Sequence, residues 1–505
     1  MNLRCYKTVL RGEGLRPFGL GVNSKFTWVD ARKKFELCNA RENRGRTTID
    51  ICVIGMFDYE DPHRVLFASY VGSSLHACFS SAGNNDSQHA EARRDIFKVK
   101  YHIIMFYYYL NIRLLCINDK EKLLSFINRS VAQDIVSKCF QGKALIIYGA
   151  RQVGKTTLIK SLLPALGVKV LELNGDDSDI RDHFQNPNVT SLKQIMGNAK
   201  LLFIDEAQRI PDIGLAIKIM VDRIPDVQVI ATGSSSFDLL ETIREPLTGR
   251  AWQWNLFPIS FSELAQHFSL HEEKRNLESR LLYGSYPEIV MHNDDAIDRL
   301  KLLTGSYLYR DLYSLPTISR PGLLEKITKA LALQIGAEVS SSEIAQLVGA
   351  DRLTVEKYIS MLEKAFVIFQ LSAFSRNVRN EIKKGRKIYF FDNGIRNAVI
   401  NNFASLSSRT DVGALWENYC ISERYKTKQY GKHHVTHYFW RTTQQQEIDL
   451  IEEDDQAELK AFEFKWNPRK QVLFSKTFLN AYDVAEKEII TPGNYEQFLS
   501  SVQMS

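Results

Sequence analysis

The apolar and polar positions of this chain follow different patterns before and after residue 123. Before that residue the periodicity is poor, and after it short apolar runs alternate with segments of helical spacing. The runs at 144–148, 168–173, 201–204 and 227–231 have the length and composition of buried strands. Strands separated by helices in this way predict a parallel sheet covered on both faces, and therefore an α/β fold.

Changes of pattern along the 505 residues predict five units, and a chain of this length is long enough for several domains. Residues 1–122 are expected to be atypical or poorly ordered. The parallel-sheet core occupies 123–265, and 266–321 predicts a helical connector or lid. We expect a winged helix-turn-helix at 322–395 and a further α/β unit at 396–505.

The first unit also differs in composition, because it holds five of the seven cysteines. We expect an extension outside the working part of the protein, either a lineage-specific addition or sequence translated upstream of the natural start. Its first residues lack the apolar stretch of a signal peptide. The apolar and aromatic segment 101–117 contains His102, Asn111 and Arg113 and is shorter than the roughly 20 residues that a membrane span requires. We therefore predict no membrane span.

Overall composition excludes little. Hydrophobic residues make up 44% and charged residues 25%, as in ordinary soluble proteins. The net charge of +6 permits contact with nucleic acid without arguing for it. The seven cysteines form neither C-x-x-C pairs nor zinc-like clusters. Scattered cysteines of odd number predict reduced thiols and a cytoplasmic location.

The most informative motif directly follows the first core strand. It has the pattern G-x-x-x-x-G-K-[ST], in which backbone N–H groups and a helix N-terminus surround phosphates. Lys155 can reach the β- and γ-phosphates, and the Thr156 hydroxyl can ligate Mg²⁺. The competing interpretation is a glycine turn that matches by accident. The predicted binding residues are Gly149, Ala150, Arg151, Gln152, Val153, Gly154, Lys155, Thr156 and Thr157.

A second motif favours the phosphate-binding interpretation. The apolar strand before Asp205 ends in two acids, the arrangement known as Walker B. Asp205 is expected to support Mg²⁺, and Glu206 to orient or polarise the attacking water. With Lys155 as a further catalytic residue, the two motifs predict a chain that binds ATP and Mg²⁺ and hydrolyses the nucleotide.

Two weaker candidates belong to the same core. Thr232 or Ser234, after the fourth strand, is placed to sense the γ-phosphate or its water, with simple turn chemistry as the equal alternative. Arg250 is a candidate arginine finger, and residues of this kind are more often surface or salt-bridge residues.

The unit at 322–395 carries a helix-turn-helix pattern. Ser340 to Glu343 forms a capping box, and a second helix is expected at 353–365. A hairpin follows, and its basic connection favours contact with DNA. The alternatives are a protein contact or a merely solvated loop. The basic residues of this connection are Arg376, Arg379, Lys383, Lys384 and Arg386.

The C-terminal unit contains a set of acids and a lysine. Asp449 lies on one predicted strand, and Glu463 and Lys465 lie on the next. Two carboxylates can hold Mg²⁺ while a lysine helps to activate water, as a metal-dependent phosphodiesterase requires. Glu417 on a preceding helix completes the expected metal and catalytic site. The alternative is ordinary cross-strand pairing.

Taken together, residues from about 126 to the end resemble a widespread prokaryotic family of AAA+ superfamily ATPases with an uncharacterised C-terminal domain. The resemblance implies a AAA-type core, a winged helix and a restriction-nuclease-like C-terminal domain, without a settled biological role. It covers about three quarters of the chain. The motifs that carry it lie at 149–156, 203–208, 231–235, 247–250, 257–263, 284–288, 309–311, 387–394, 416–418 and 464–466.

Two function classes follow. In the first, nucleotide state drives a DNA-acting machine, which contacts DNA through the winged helix and cuts or grips it with the acidic cluster. In the second, a signalling ATPase senses a protein partner, and its nuclease-like unit is an inactive binding platform. Oligomerisation is compatible with both.

Overall fold

The computed structural model describes residues 126–233, 247–308, 320–376, 385–442, 444–469 and 473–500, together with the backbone of eight short strands before residue 81. The chain divides into two compact units, Met1–Tyr107 and Tyr108–Ser505. In the described part of the chain, no helix is long and apolar enough to cross a membrane. The early strands are β1 Arg4–Cys5, β2 Asn23–Ser24, β3 Phe35–Cys38, β4 Arg41–Asn43, β5 Arg46–Thr48, β6 Cys52–Gly55, β7 Val65–Val71 and β8 Ser74–Ser80.

The second unit contains the predicted parallel sheet, which has a fifth strand, β13, beyond the four that were predicted. Its order is β10-β11-β12-β9-β13, so the sequence order reverses beside β9. In sheets of this kind, ligands bind at the carboxyl ends of the strands next to such a reversal. The strands are β9 Ala144–Tyr148, β10 Val170–Asn174, β11 Leu201–Asp205, β12 Gln228–Gly233 and β13 Ala251–Asn255.

Amphipathic helices cover this sheet. In α5, buried Ile213, Ala216, Ile217 and Met220 recur at helical spacing and face the core. Asn188 caps α4 by accepting hydrogen bonds from two backbone N–H groups. The helices are α1 Ala132–Lys138, α2 Lys155–Leu162, α3 Ser178–His183, α4 Val189–Met196 and α5 Ile213–Arg223.

A run of helices follows, starting before residue 266, where the sequence predicted the start of a connector or lid. It begins at a capping box in which Ser260 and Glu263 satisfy each other's backbone N–H groups. At Gly284, φ is +74° and a Cβ atom would lie 2.1 Å from Asp392 Oδ1, so only glycine fits there. Its helices are α6 Phe261–Phe268, α7 Leu270–Arg275, α8 Leu277–Tyr283, α9 Pro287–Met291, α10 Ala296–Leu302 and a π-helix at Leu303–Leu308.

Three helices and an antiparallel strand pair come next, in the predicted order. Ser340 caps the second helix by accepting from Glu343 N at 3.4 Å, which is one half of the expected capping box. The elements are α11 Pro321–Leu333, β14 Glu338–Val339, α12 Ser341–Val348, α13 Arg352–Lys364, β15 Ile368–Ala373, β16 Arg386–Phe390 and α14 Asn393–Val399. A DNA-binding winged helix remains a prediction for this segment.

The C-terminal strands join the same sheet as this segment. The order of the seven strands is β14-β16-β15-β17-β18-β19-β20, and Ser372 and Ala373 of β15 pair in parallel with Tyr438 and Phe439 of β17. The sheet thus runs across the boundary predicted at residue 395. The elements are α15 Val412–Tyr430, β17 Val435–Arg441, β18 Glu447–Asp454, β19 Leu459–Phe464, α16 Lys476–Ala481, β20 Glu486–Ile490 and α17 Tyr495–Leu499.

Two large apolar clusters join these layers. One runs from Leu145 of β9 through Leu324 of α11 to Tyr358 of α13. Another joins Phe257 after the core sheet to Trp416 of α15. Because burial of this apolar surface stabilises every layer that contributes to it, the core, the connector and the C-terminal elements are packed together.

Candidate functional site

The predicted phosphate loop connects β9 to α2. Gly154 has φ of +93° and Gln152 has φ of +60°, so the chain turns through left-handed conformations before the helix. A Cβ atom at Gly149 would lie 2.2 Å from the carbonyl oxygen of Leu256, which follows the neighbouring strand β13. The first glycine of the motif is therefore required by a close backbone approach.

Lys155 is buried at the start of α2, with 5% of its surface exposed. Its Nζ atom donates to the carbonyl oxygens of Gly149 at 2.9 Å and Ala150 at 2.8 Å. The ammonium group therefore lies inside the curve of the loop, where the helix N-terminus also favours an anion.

Asp205 ends β11 and joins two hydroxyl groups from neighbouring elements. Its Oδ2 atom accepts a hydrogen bond from Thr156 Oγ1 at 2.8 Å, and its Oδ1 atom accepts one from Thr232 Oγ1. The structure thus brings together three predicted residues from α2, β11 and β12. A carboxylate and a threonine hydroxyl are hard oxygen donors of the kind that Mg²⁺ prefers.

Glu206 directly follows Asp205 and has a left-handed backbone, with φ of +50°. This conformation is uncommon for a residue other than glycine, and such residues concentrate at functional sites. Its Oε2 atom accepts a hydrogen bond from Gln208 Nε2 at 2.5 Å, so the carboxylate is held beside its own turn.

Of the two remaining core candidates, the structure describes only Arg250, which lies apart from this group. Ser234 lies outside the described residues. Arg250 pairs with Asp222 at 2.8 Å, and its carbonyl oxygen accepts from Ala144 N at the beginning of β9. The phosphate loop is at the opposite end of that strand, roughly 16 Å away at about 3.3 Å per residue. Arg250 therefore cannot serve the loop of its own chain, and a finger role requires a second copy.

The predicted C-terminal residues come together at the ends of β18 and β19. Lys465 Nζ donates to Glu463 Oε2 at 2.7 Å and to Asp449 Oδ2 at 3.1 Å. The Asp449 carboxylate also accepts from the backbone N–H of Phe464 at 2.9 Å. A backbone hydrogen bond from the neighbouring strand and the Lys465 charge pairs thus fix this half of the cluster.

Residues that the sequence did not indicate complete the other half. Glu417 Oε1 accepts from Tyr389 OH at 2.6 Å and from Lys387 Nζ at 3.1 Å, and Lys387 also pairs with Glu447. Lys387 and Tyr389 share one face of β16, because side chains alternate along a strand. The sequence signal that could have identified Lys387 and Tyr389 is their spacing, two positions apart in an otherwise apolar strand.

Burial and like charge both act on these acids. Burial and the nearby Asp449 charge raise the pKa of Glu417 to about 7 despite the opposing Lys387 ammonium. The same two causes raise the pKa of Glu463 to about 8 against the effect of Lys465. Among the described residues, no three acid, histidine or cysteine side chains are arranged to hold a metal ion. Two lysines instead lie among the carboxylates.

The basic connection between β15 and β16 is only partly described. Arg376 pairs with Glu453 at 3.2 Å. Arg386 donates to Gln370 Oε1 at 3.0 Å and also to Ser341 Oγ. Arg379, Lys383 and Lys384 lie outside the described residues. Both described arginines therefore contact their own chain.

Comparison with known families assigns three segments. Residues 141–265 match the AAA domain family, and 274–406 and 412–504 match two domains of unknown function, DUF8612 and DUF4143. The chain therefore contains a AAA domain of the P-loop class and an uncharacterised C-terminal domain, as the resemblance implied. The winged-helix and nuclease-like interpretations remain predictions.

The similar whole proteins are uncharacterized. One from Mycobacterium tuberculosis is 26% identical over 331 residues, which is 64% of this chain and 71% of that protein. One from Methanocaldococcus jannaschii is 24% identical over 58% of this chain and 69% of its own length. A RuvB structure from Thermotoga maritima aligns with 52% of this chain and 90% of its own, at 16% identity and a TM-score of 0.27.

Proposed function

We propose that this chain binds ATP with Mg²⁺ at the carboxyl ends of β9, β11 and β12 and hydrolyses it. The observation that carries the proposal is the Asp205 carboxylate, which joins the hydroxyls of Thr156 and Thr232 beside the buried Lys155. A AAA domain match over the same segment supports it.

Each residue has a separate role in this proposal. Lys155 exchanges its two loop carbonyls for phosphate oxygens and neutralises charge as the γ-phosphate leaves. Thr156 and Asp205 would hold Mg²⁺, which supplies further neutralisation of the phosphate charge. Glu206 orients the attacking water and accepts its proton, after its carboxylate leaves Gln208.

Replacing Lys155 with Ala tests the binding step. Because charge-assisted hydrogen bonds to phosphate are lost, we expect ATP affinity to fall roughly 100-fold, as measured by calorimetry. Lys160→Ala is the matched control, since Lys160 lies on the same helix in an exposed pair with Glu172. Unchanged affinity in the Lys155 variant contradicts the proposal.

For the C-terminal domain we propose that nucleotide state is coupled to contact with DNA. The juxtaposition of Glu417, Asp449, Glu463 and Lys465 favours this function, because acids and a lysine are the groups that phosphodiester chemistry uses. The alternative is a regulatory switch that binds a protein partner. The internal pairing of Arg376 and Arg386 favours that alternative.

Plasmid DNA incubated with the protein, ATP and Mg²⁺ or Mn²⁺ separates the two functions. If the cluster cuts DNA, cleavage is lost in Asp449→Ala and retained in Asp455→Ala, which removes an exposed acid just beyond β18. If the unaltered protein neither binds nor cleaves the plasmid, the result favours the protein-partner switch.

A further inference from the structure

Arg129, just before α1, is a buried arginine that joins separate parts of the molecule. Its Nε atom donates to Glu263 Oε1 at 3.1 Å, and its Nη1 atom donates to the carbonyl oxygen of Val153 at 2.7 Å. Its Nη2 atom donates to the carbonyl oxygen of Phe257 at 2.6 Å and to the hydroxyl of Tyr430 at 3.2 Å. With 7% of its surface exposed, its guanidinium depends on these partners for hydrogen bonding.

The contact with Val153 bears directly on the phosphate loop. A trans peptide is planar, so its C=O and the following N–H point in opposite directions. By holding the Val153 carbonyl, Arg129 fixes the direction of the Gly154 N–H group. That N–H belongs to the set that surrounds a phosphate in a loop of this type.

The contact with Tyr430 connects the same arginine to the C-terminal domain. Tyr430 is the last residue of α15, and its hydroxyl also accepts from Phe257 N at 3.0 Å. Glu417 of the carboxylate cluster lies on the same helix, thirteen residues earlier. At 1.5 Å per residue the helix spans about 20 Å between them. One continuous helix therefore runs from the Arg129 contact, beside the phosphate loop, to the cluster.

We propose that Arg129 is a positioning residue for the phosphate loop and that Tyr430 couples nucleotide binding at that loop to α15. The proposal rests on the proposed binding of ATP. A shift of the Val153 carbonyl on binding changes the position of the guanidinium, and the guanidinium can keep all its acceptors only if Tyr430 follows. ATP binding then favours one position of α15 by some factor. By reciprocity, displacing α15 from that position weakens ATP binding by the same factor.

Tyr430→Phe provides a narrow test, because it removes the hydroxyl and keeps the ring that packs 5.7 Å from Phe257. The control is Lys432→Ala, two residues beyond the helix end. Lys432 pairs with Asp134 at 2.7 Å and is more than half exposed. Arg129→Lys keeps the charge and cannot make all four hydrogen bonds.

Three quantities are measured for each full-length variant: ATP affinity, the ATP-induced rise in melting temperature, and hydrogen exchange of 412–430 with and without ATP. We expect Tyr430→Phe and Arg129→Lys to bind ATP about 5- to 100-fold more weakly, within the usual range of coupling. The ATP-dependent protection of α15 should disappear in Tyr430→Phe and persist in Lys432→Ala.

The outcomes distinguish the two proposals. If the unaltered protein binds no ATP, both the proposed function and the coupling are overturned. If it binds ATP and Tyr430→Phe retains the affinity and the protection of α15, the coupling alone is overturned. A lower melting temperature without ATP, accompanied by an unchanged ATP response, marks Tyr430 as purely structural and also overturns the coupling.

Discussion

Among single residues, Glu206 combines a left-handed backbone with a carboxylate that is hydrogen-bonded to Gln208. Its left-handed conformation and its bond to Gln208 hold the carboxylate beside its own turn, directly after Asp205 in the chain. We expect Glu206→Gln to bind ATP normally and to hydrolyse it about 10² to 10⁴ times more slowly, because proton acceptance from water is lost. Phosphate release and ATP binding are measured in parallel.

Glu172→Gln is the control for that variant, because it removes an acid that is about half exposed on β10. Its turnover should equal that of the unaltered protein. Normal turnover in Glu206→Gln would remove Glu206 from the proposed mechanism.

Asp411 carries a prediction about stability. Burial would raise its pKa, but hydrogen bonds from Arg409 and Arg396 prevail and lower it to about 2. A depressed pKa contributes stability that is present above the ordinary value near 4 and lost as pH falls towards 2. We expect Asp411→Asn to lower the free energy of unfolding by about 2 kcal/mol at pH 7 and by much less near pH 2.

Urea unfolding of Asp411→Asn and of Asp455→Asn at the two pH values measures this contribution. Asp455 is exposed, so its variant should match the unaltered protein. An equal loss of stability at both pH values for Asp411→Asn would contradict the role of its ionised form.

At the residue scale, the sequence predicted groups that belong to local motifs. Lys155 and Asp205 were identifiable because Lys155 belongs to a motif that directly follows a recognisable strand and Asp205 ends one. Arg129 was missed because its partner Tyr430 lies 301 residues away, and Lys387 because its partner Glu417 lies 30 residues away. No local pattern records contacts of this kind, which arise only when distant segments pack.

Among the elements, the packing of α15 depends on the buried side-chain amide of Asn418. Asn418 accepts from Phe390 N at 2.7 Å and donates to Phe390 O at 3.0 Å and to Asn393 Oδ1 at 2.6 Å. A leucine at this position has a similar volume but makes none of these hydrogen bonds. Each buried group left without a partner lowers the free energy of unfolding by about 1–3 kcal/mol. We expect Asn418→Leu to lower the free energy of unfolding by about 3 kcal/mol in urea.

Gln429→Leu is the matched control, because it introduces the same side chain at an exposed position of the same helix. Its stability should stay within about 0.5 kcal/mol of that of the unaltered protein. Equal effects of the two substitutions would show that the amide contributes nothing beyond its volume.

A helix with a clear cap was predicted within about two residues, because α13 was expected at 353–365 and runs over Arg352–Lys364. Among the described strands of the second unit, four escaped prediction: β13, β14, β17 and β20. The first two escaped for clear physical reasons. The strand β13 alternates large and polar residues, Trp252, Gln253 and Trp254, and so lacks the apolar run of its neighbours. The strand β14 has two residues and exists only because β16 pairs with it.

At the scale of the whole molecule, the position of Arg250 determines how it could act as an arginine finger. It lies at the opposite end of β9 from the phosphate loop, so a finger role needs a neighbouring copy of the chain. If copies assemble in this way, Lys155→Ala and Arg250→Ala should each hydrolyse ATP poorly, and their mixture should recover part of the activity. One interface in the mixture would then combine an intact loop with an intact arginine.

The ATPase rate is measured as the two variants are mixed at constant total protein. Asp222→Ala serves as the control, because it removes the partner of Arg250 and keeps the guanidinium. Normal turnover of Arg250→Ala alone would exclude the finger role.

At this scale the sequence predicted the order of the units more securely than their independence. The boundary expected at residue 395 falls inside α14, and β15 and β17 pair across it. Pairing between strands that are distant in sequence has no signal in either strand alone, so hydrophobic patterning cannot reveal a shared sheet.

The shared sheet determines where this chain can be divided for study. A fragment beginning at residue 396 would expose the edge of β17, and a fragment ending at residue 395 would expose the edge of β15. Unpaired strand edges invite association with other chains, so both pieces are expected to aggregate when expressed separately. A fragment that contains the C-terminal domain should therefore start before α11, so that it keeps every described strand of this sheet.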